Sequence, residues 1–164
     1  MAEPTFTESY ELLGLAKKLQ ERYHFFLGQV DLEAIWFTEA LGEKPKTAKV
    51  ASISGITKPW LKQLLAKMDK NNKLYCLSVW SQEWENLSPA QREWAVFHCL
   101  YAVAPEAEGK MRKPDVQGYG PIIDFLGPYW ERRQDLPSML DGDEPLPIPP
   151  PPADEEDDEI GSTI

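Results

Sequence analysis

The chain has 164 residues, 42% of them hydrophobic, with six tryptophans, a size and composition that suit one domain with a substantial core. No apolar run approaches the roughly 18 residues of a membrane span, and two cysteines, Cys76 and Cys99, are too few for a disulfide framework. The net charge of −10 is uneven: ten of the 27 acids lie beyond Arg133, where no Lys or Arg occurs, so residues 1–134 hold 17 acids against 17 bases and the charge belongs to the tail.

The start, Met1-Ala2-Glu3-Pro4, lacks the basic and apolar stretches of a signal peptide, and a cytosolic product is expected. Residues 7–23 read as an amphipathic helix capped by Thr7, with Tyr10, Leu13, Ala16, Leu19 and Tyr23 at helical spacing. Short strands are expected over 34–38 and 48–53, separated by the turn Gly42-Glu-Lys-Pro45, and a short helix over Pro59 to Met68. Residues 73–80 alternate and carry aromatic and β-branched side chains, which predicts a third strand. Neither cysteine belongs to a C-x-x-C pair, and both are expected to be small buried hydrophobes.

Ser88-Pro89-Ala90-Gln91 combines an N-cap serine, proline at the first helical position and glutamine three residues after the cap. The helix it opens should run to about Ala104, before Pro105. Trp94, Ala95, Val96, Phe97, Leu100, Tyr101 and Val103 make it apolar on every side, so it should be central, with His98 as the ionisable side chain in its middle. A loop from Pro105 to Gly120 leads to a short helix opened by Pro121, with Ile122, Phe125 and Leu126, and broken by Gly127-Pro128. Trp130 should pack back on the core, joining Trp80, Trp84 and Trp94. From 135 on, seven of the fifteen prolines and the consecutive acids Asp154, Glu155, Glu156, Asp157, Asp158 and Glu159 predict a disordered, Pro-rich acidic tail over 135–164.

From Leu87 to Ala102 the chain resembles the metallopeptidases encoded by bacteriophages. The matching pieces are Leu87 to Arg92, His98 to Ala102, Arg112-Lys-Pro-Asp-Val116 and Gly120-Pro-Ile-Ile-Asp-Phe-Leu-Gly-Pro-Tyr-Trp130. The likeness is strongest over about 73–131 and weaker over the N-terminal helix with its Tyr23-His24 ending. It implies one zincin-like α+β domain over 1–134, with a small three-stranded sheet and three to four helices. It also implies an H-E-x-x-H helix, whose histidines at i and i+4 share one face to bind zinc while the glutamate takes a proton from the bound water.

Aligned on His98, the glutamate position holds Cys99, the second histidine position Ala102, and the downstream histidine position Pro114, beside a retained Asp115. His24 is not at a ligand position. Cys99 lies about 100° around the helix from His98, so the two do not converge on one ion. A rebuilt zinc site from His98, Asp115 and Cys76 is the alternative to a buried His98 hydrogen-bonded to Asp115, which is the expectation. The paired carboxylates Asp31/Glu33 and Glu83/Glu85 read as solvated or capping charges. The small clusters Lys44, Lys46, Lys49 and Lys110, Arg112, Lys113 on a neutral body argue little for nucleic-acid binding.

The reading that follows is a phage-encoded, catalytically inactive protein in the host cytoplasm that binds a protein, with a host factor as one class of partner, without cofactor or membrane. Its acidic run is either a recognition element for a basic surface or a solubiliser. The alternatives are a zinc metallopeptidase with atypical ligands and a virion or assembly component.

Overall fold

A computed structural model describes residues 5–70, 72–103, 111, 119–127 and 129–150. The alternation expected over 73–80 becomes β4 (Tyr75–Trp80), with Tyr75, Leu77 and Val79 buried and the residues between them half-buried. β2 (Ile35–Leu41) runs parallel to it, with Ile35 opposite Tyr75 and Phe37 opposite Leu77. β3 (Ala51–Gly55) pairs antiparallel on the other side of β4, and β1 (Thr5–Glu8) antiparallel with β2, in the order β1-β2-β4-β3. The parallel β2–β4 pair requires a crossover. Here β3 and α3 (Pro59–Lys67) supply it.

The α+β class is as expected, but the sheet has four strands rather than three. The additional strand lies where the first helix was expected to begin. Thr5, Phe6 and Thr7 suit a strand, and Thr7 pairs with Glu39 instead of capping a helix. The cap is Ser9, whose hydroxyl accepts the Leu12 N–H at 3.3 Å, and α1 spans Tyr10–Arg22. This start leaves Tyr10 exposed and buries Leu12, Ala16, Leu19 and Tyr23.

After the short α2 (His24–Leu27), the capped helix α5 (Pro89–Tyr101) occupies the centre, packed on α1 and β3. It buries Trp94, Val96, Phe97, Cys99, Leu100 and Tyr101, as its all-round apolar surface requires. α4 (Ser81–Glu85) precedes it. α6 (Gly120–Leu126) ends at Gly127, whose φ of 90° favours glycine. Trp130 stands 6.3 Å from Trp94, ring centroid to centroid, and is buried along with Trp84 and Trp94, whereas Trp80 is half-buried. Asp31 caps the 3₁₀ turn Leu32–Ala34 by accepting the Glu33 N–H at 3.0 Å, which is the capping role read for that pair. Among the described residues, no helix is long and apolar enough to cross a membrane.

The chain differs from its composition after residue 134. Leu136, Met139 and Ile148 are buried in the same core as α1 and α5. The Trp94 indole N–H donates to the Pro137 carbonyl at 2.8 Å, and the Arg22 guanidinium reaches the carbonyls of Leu140 and Gly142. Residues 135–150 therefore belong to the packed body, because a few spaced apolar side chains find a groove already built by α1 and α5. The acids Asp154 to Glu159 lie outside the described residues, as do Pro114 and Asp115.

Candidate functional site

The helix that carries His98 is held at its start by a reciprocal pair. The Ser88 hydroxyl accepts the Gln91 N–H at 3.1 Å, and the Gln91 side-chain oxygen accepts the Ser88 N–H at 2.8 Å. The Gln91 amide also donates to the Arg133 carbonyl at 3.1 Å, which fixes the segment around Trp130 beside the helix. Gln91, Ala95 and His98 thus share one face, and that face forms a wall of a cleft of about 600 Å3. Ala51, the first residue of β3, Val50 before it, and Lys44, Lys46 and Lys49 from the preceding turn also line the cleft. Trp130, Glu131, Arg132 and Leu136 complete it.

His98 is half-buried, with the rings of Tyr119 and Trp130 at 5.1 and 5.6 Å. Burial pushes its pKa down to about 4; the Lys49 ammonium adds to this and Glu131 opposes it. The imidazole is therefore neutral at neutral pH. Lys49 and Glu131 pair with each other at 3.5 Å, both largely exposed. Among the described residues, no hydrogen-bonding partner of the His98 ring occurs, and the expected partner Asp115 lies outside them.

Cys99 is 3% exposed in the core, and burial raises its thiol to about 12. Ala102 is the C-cap residue of α5 and carries no donor atom. Cys76 is half-buried on β4 with its Sγ 3.8 Å from the Thr38 hydroxyl, and burial raises its pKa. His24 is exposed on α2 and does not line the cleft.

A family model described as "putative phage metallopeptidase" matches residues 4–140. The chain belongs to the phage metallopeptidase family. No curated protein and no solved structure matches it. The match ends at residue 140, inside the segment that packs on α5, so the family domain extends past the composition change at 135.

Members of a metallopeptidase family call for a metal, and the described residues of this one can be tested for it. A neutral His98 is in the right state to ligate. Its neighbours are not: Cys99 is a buried thiol, Ala102 has no donor, and Lys49 sets a positive charge near the ring. Among the described residues, no group of three or more His, Cys, Asp or Glu could hold a metal ion. The described donor set thus does not fit a catalytic zinc, which takes three protein ligands and a water.

Sequence reasoning missed two features. The three lysines before β3 read as a minor loop cluster, yet they line the same cleft as His98; only their close spacing hinted at a patch. Glu93 was passed over within an apolar helix. It is 6% exposed and accepts the Ser138 hydroxyl at 3.1 and 3.2 Å and the Met139 N–H at 3.2 Å.

Proposed function

We propose that this phage metallopeptidase family member is catalytically inactive and acts by binding a protein partner in the host cytoplasm. One observation carries the loss of catalysis. On α5, one residue and one turn beyond His98, the positions of the general base and second ligand hold a core thiol and an alanine. Neither side chain can take a proton from a zinc-bound water at neutral pH.

The surface supports a binding role. α3 leaves Trp60 61%, Leu64 44% and Met68 (its C-cap) 45% exposed, at successive i+4 steps, and buries only Leu65 fully. Lys58, Lys62 and Lys67 surround this stripe. An exposed tryptophan within an apolar stripe is the type of anchor that protein interfaces use.

The test is elemental analysis of protein purified without chelator, with a peptidase assay on wild type and His98→Ala. Substoichiometric zinc and no cleavage are expected. Near-stoichiometric zinc, lost together with an activity in His98→Ala, would establish a peptidase with atypical ligands instead.

A further inference from the structure

The cleft beside His98 gathers four cations on a body whose residues 1–150 hold 21 acids against 17 bases. Lys44, Lys46, Lys49 and Arg132 line it against Glu131, and Lys46 and Arg132 are exposed. Between the cations the walls are apolar, including Leu87, Ala95 and the buried Leu136. Low-dielectric walls around one sign of charge focus its field. His98, neutral and flanked by rings, adds no charge at neutral pH.

We propose that this cleft binds acidic peptide, and that its resident occupant is the chain's own run Asp154–Glu159. The charges are complementary: the run holds six consecutive acids, and the cleft four cations against the single carboxylate of Glu131. Lys49 is paired to Glu131 and the Lys44 ammonium donates to the Pro45 and Ala48 carbonyls, while Lys46 and Arg132 are open to solvent. The chain is anchored to the body just before them, because Ile148 is buried and the Leu146 N–H donates to the Tyr23 hydroxyl at 3.0 Å. Asp154 and Glu159 lie four and nine residues past Pro150. At about 3.3 Å per extended residue they reach roughly 13 and 30 Å from it, against a radius of gyration of about 15 Å for a body of this size.

Tethering makes the encounter intramolecular, at an effective concentration on the order of millimolar. Exposed ion pairs each contribute little, because water and salt screen them. The contact is therefore multivalent, reversible and sensitive to salt. A single-stranded nucleic acid suits the cleft less well. Trp130, its aromatic wall, is 7% exposed and offers no open ring for base stacking. In this arrangement the acidic run screens the cleft, and a partner that enters must displace it. The inference concerns the cleft beside His98 and not the α3 stripe, and it rests on charge and reach, so it holds whether or not the chain cleaves peptides.

Zero-length carbodiimide coupling of the full chain, in a mixture of unlabelled and ¹⁵N-labelled protein, tests it. Links from Asp154–Glu159 to Lys44, Lys46 and Lys49 within single chains are expected, disappearing at about 1 M salt, where the screening length is about 3 Å. Equal coupling to remote lysines such as Lys17, Lys62 and Lys67, or links only between differently labelled chains, would overturn it. In a folded Lys46→Glu/Arg132→Glu variant, checked by circular dichroism, links to Lys49 should fall severalfold. Undiminished links there would equally sink the proposal.

Discussion

The Tyr23 hydroxyl donates to the Met139 carbonyl at 2.8 Å, joining the end of α1 to a segment 116 residues further along. The same oxygen accepts the Leu146 N–H. Tyr23 is 3% exposed and its ring meets Phe97 of α5 edge-on at 5.5 Å, so this latch is seated in the core. Burial raises the Tyr23 pKa, which keeps the phenol protonated and able to donate.

A chain ended at Gln134 should therefore be severely destabilised. It loses Leu136, Met139 and Ile148 from the core, each worth about 1.5–3 kcal/mol when fully buried. It also strips Glu93 and Tyr23 of their partners. Ending the chain at Pro150 should leave the melting temperature within a few degrees of the full chain. Equal melting temperatures for the two truncations would show that residues 135–150 contribute nothing to the body.

Glu93 is the second point of attachment. Glu93→Ala should cost about 1–3 kcal/mol by leaving the Met139 N–H and Ser138 hydroxyl unpaired. Glu93→Gln keeps one acceptor oxygen and should cost less. Urea midpoints of the two variants check this order, and a Gln variant as weak as the Ala variant would contradict it.

Stability should depend on pH through His98. Its pKa is about 4 in the fold against 6.5 unperturbed, so between these values the unfolded chain binds a proton that the folded chain refuses. Stability should then decline as pH falls from about 6.5 to about 4, by at most about 1.4 kcal/mol per unit, and His98 should contribute no slope above that window. Glu8, whose carboxyl is held low mainly by its hydrogen bond from Lys70, loses its contribution largely below 4.5. Urea unfolding of wild type and His98→Gln across pH 4–7 separates the two. A His98→Gln variant with the wild-type slope would refute the assignment.

Both thiols should be slow toward alkylating reagents in the native state. Cys99 is buried with its pKa at about 12, and burial also raises Cys76. Thiolate is the reactive form. Mass spectrometry after brief iodoacetamide treatment should show unmodified native protein and two additions in urea. Rapid single labelling at Cys99 without denaturant would place that thiol in the cleft rather than the core.

The parts of this protein readable from sequence are those whose causes are local. Ser88, Pro89 and Gln91 specify the start of α5 within four residues, its apolar surface makes it central, and the alternation over 73–80 makes β4. The His98, Cys99 and Ala102 positions follow from the same register, and with them the family resemblance. The first helix was misplaced by two to three residues because both Thr7 and Ser9 can cap; pairing of Thr7 with Glu39 across the sheet decides between them. Whether residues 135–150 fold was not legible either. Leu136, Met139 and Ile148 are sparse among prolines and acids, and too few to drive folding alone. They are buried because α1 and α5 present a groove, with Tyr23 and Glu93 aimed at their backbone. Likewise Lys49, His98 and Arg132 share no local pattern, and only the packing of β3 and the Trp130 turn against α5 brings them to one cleft. Sequence determined the helix and its altered motif through short-range capping and periodicity, whereas the tertiary structure decided the cleft and the extent of the body, because both depend on surfaces that exist only after distant segments pack.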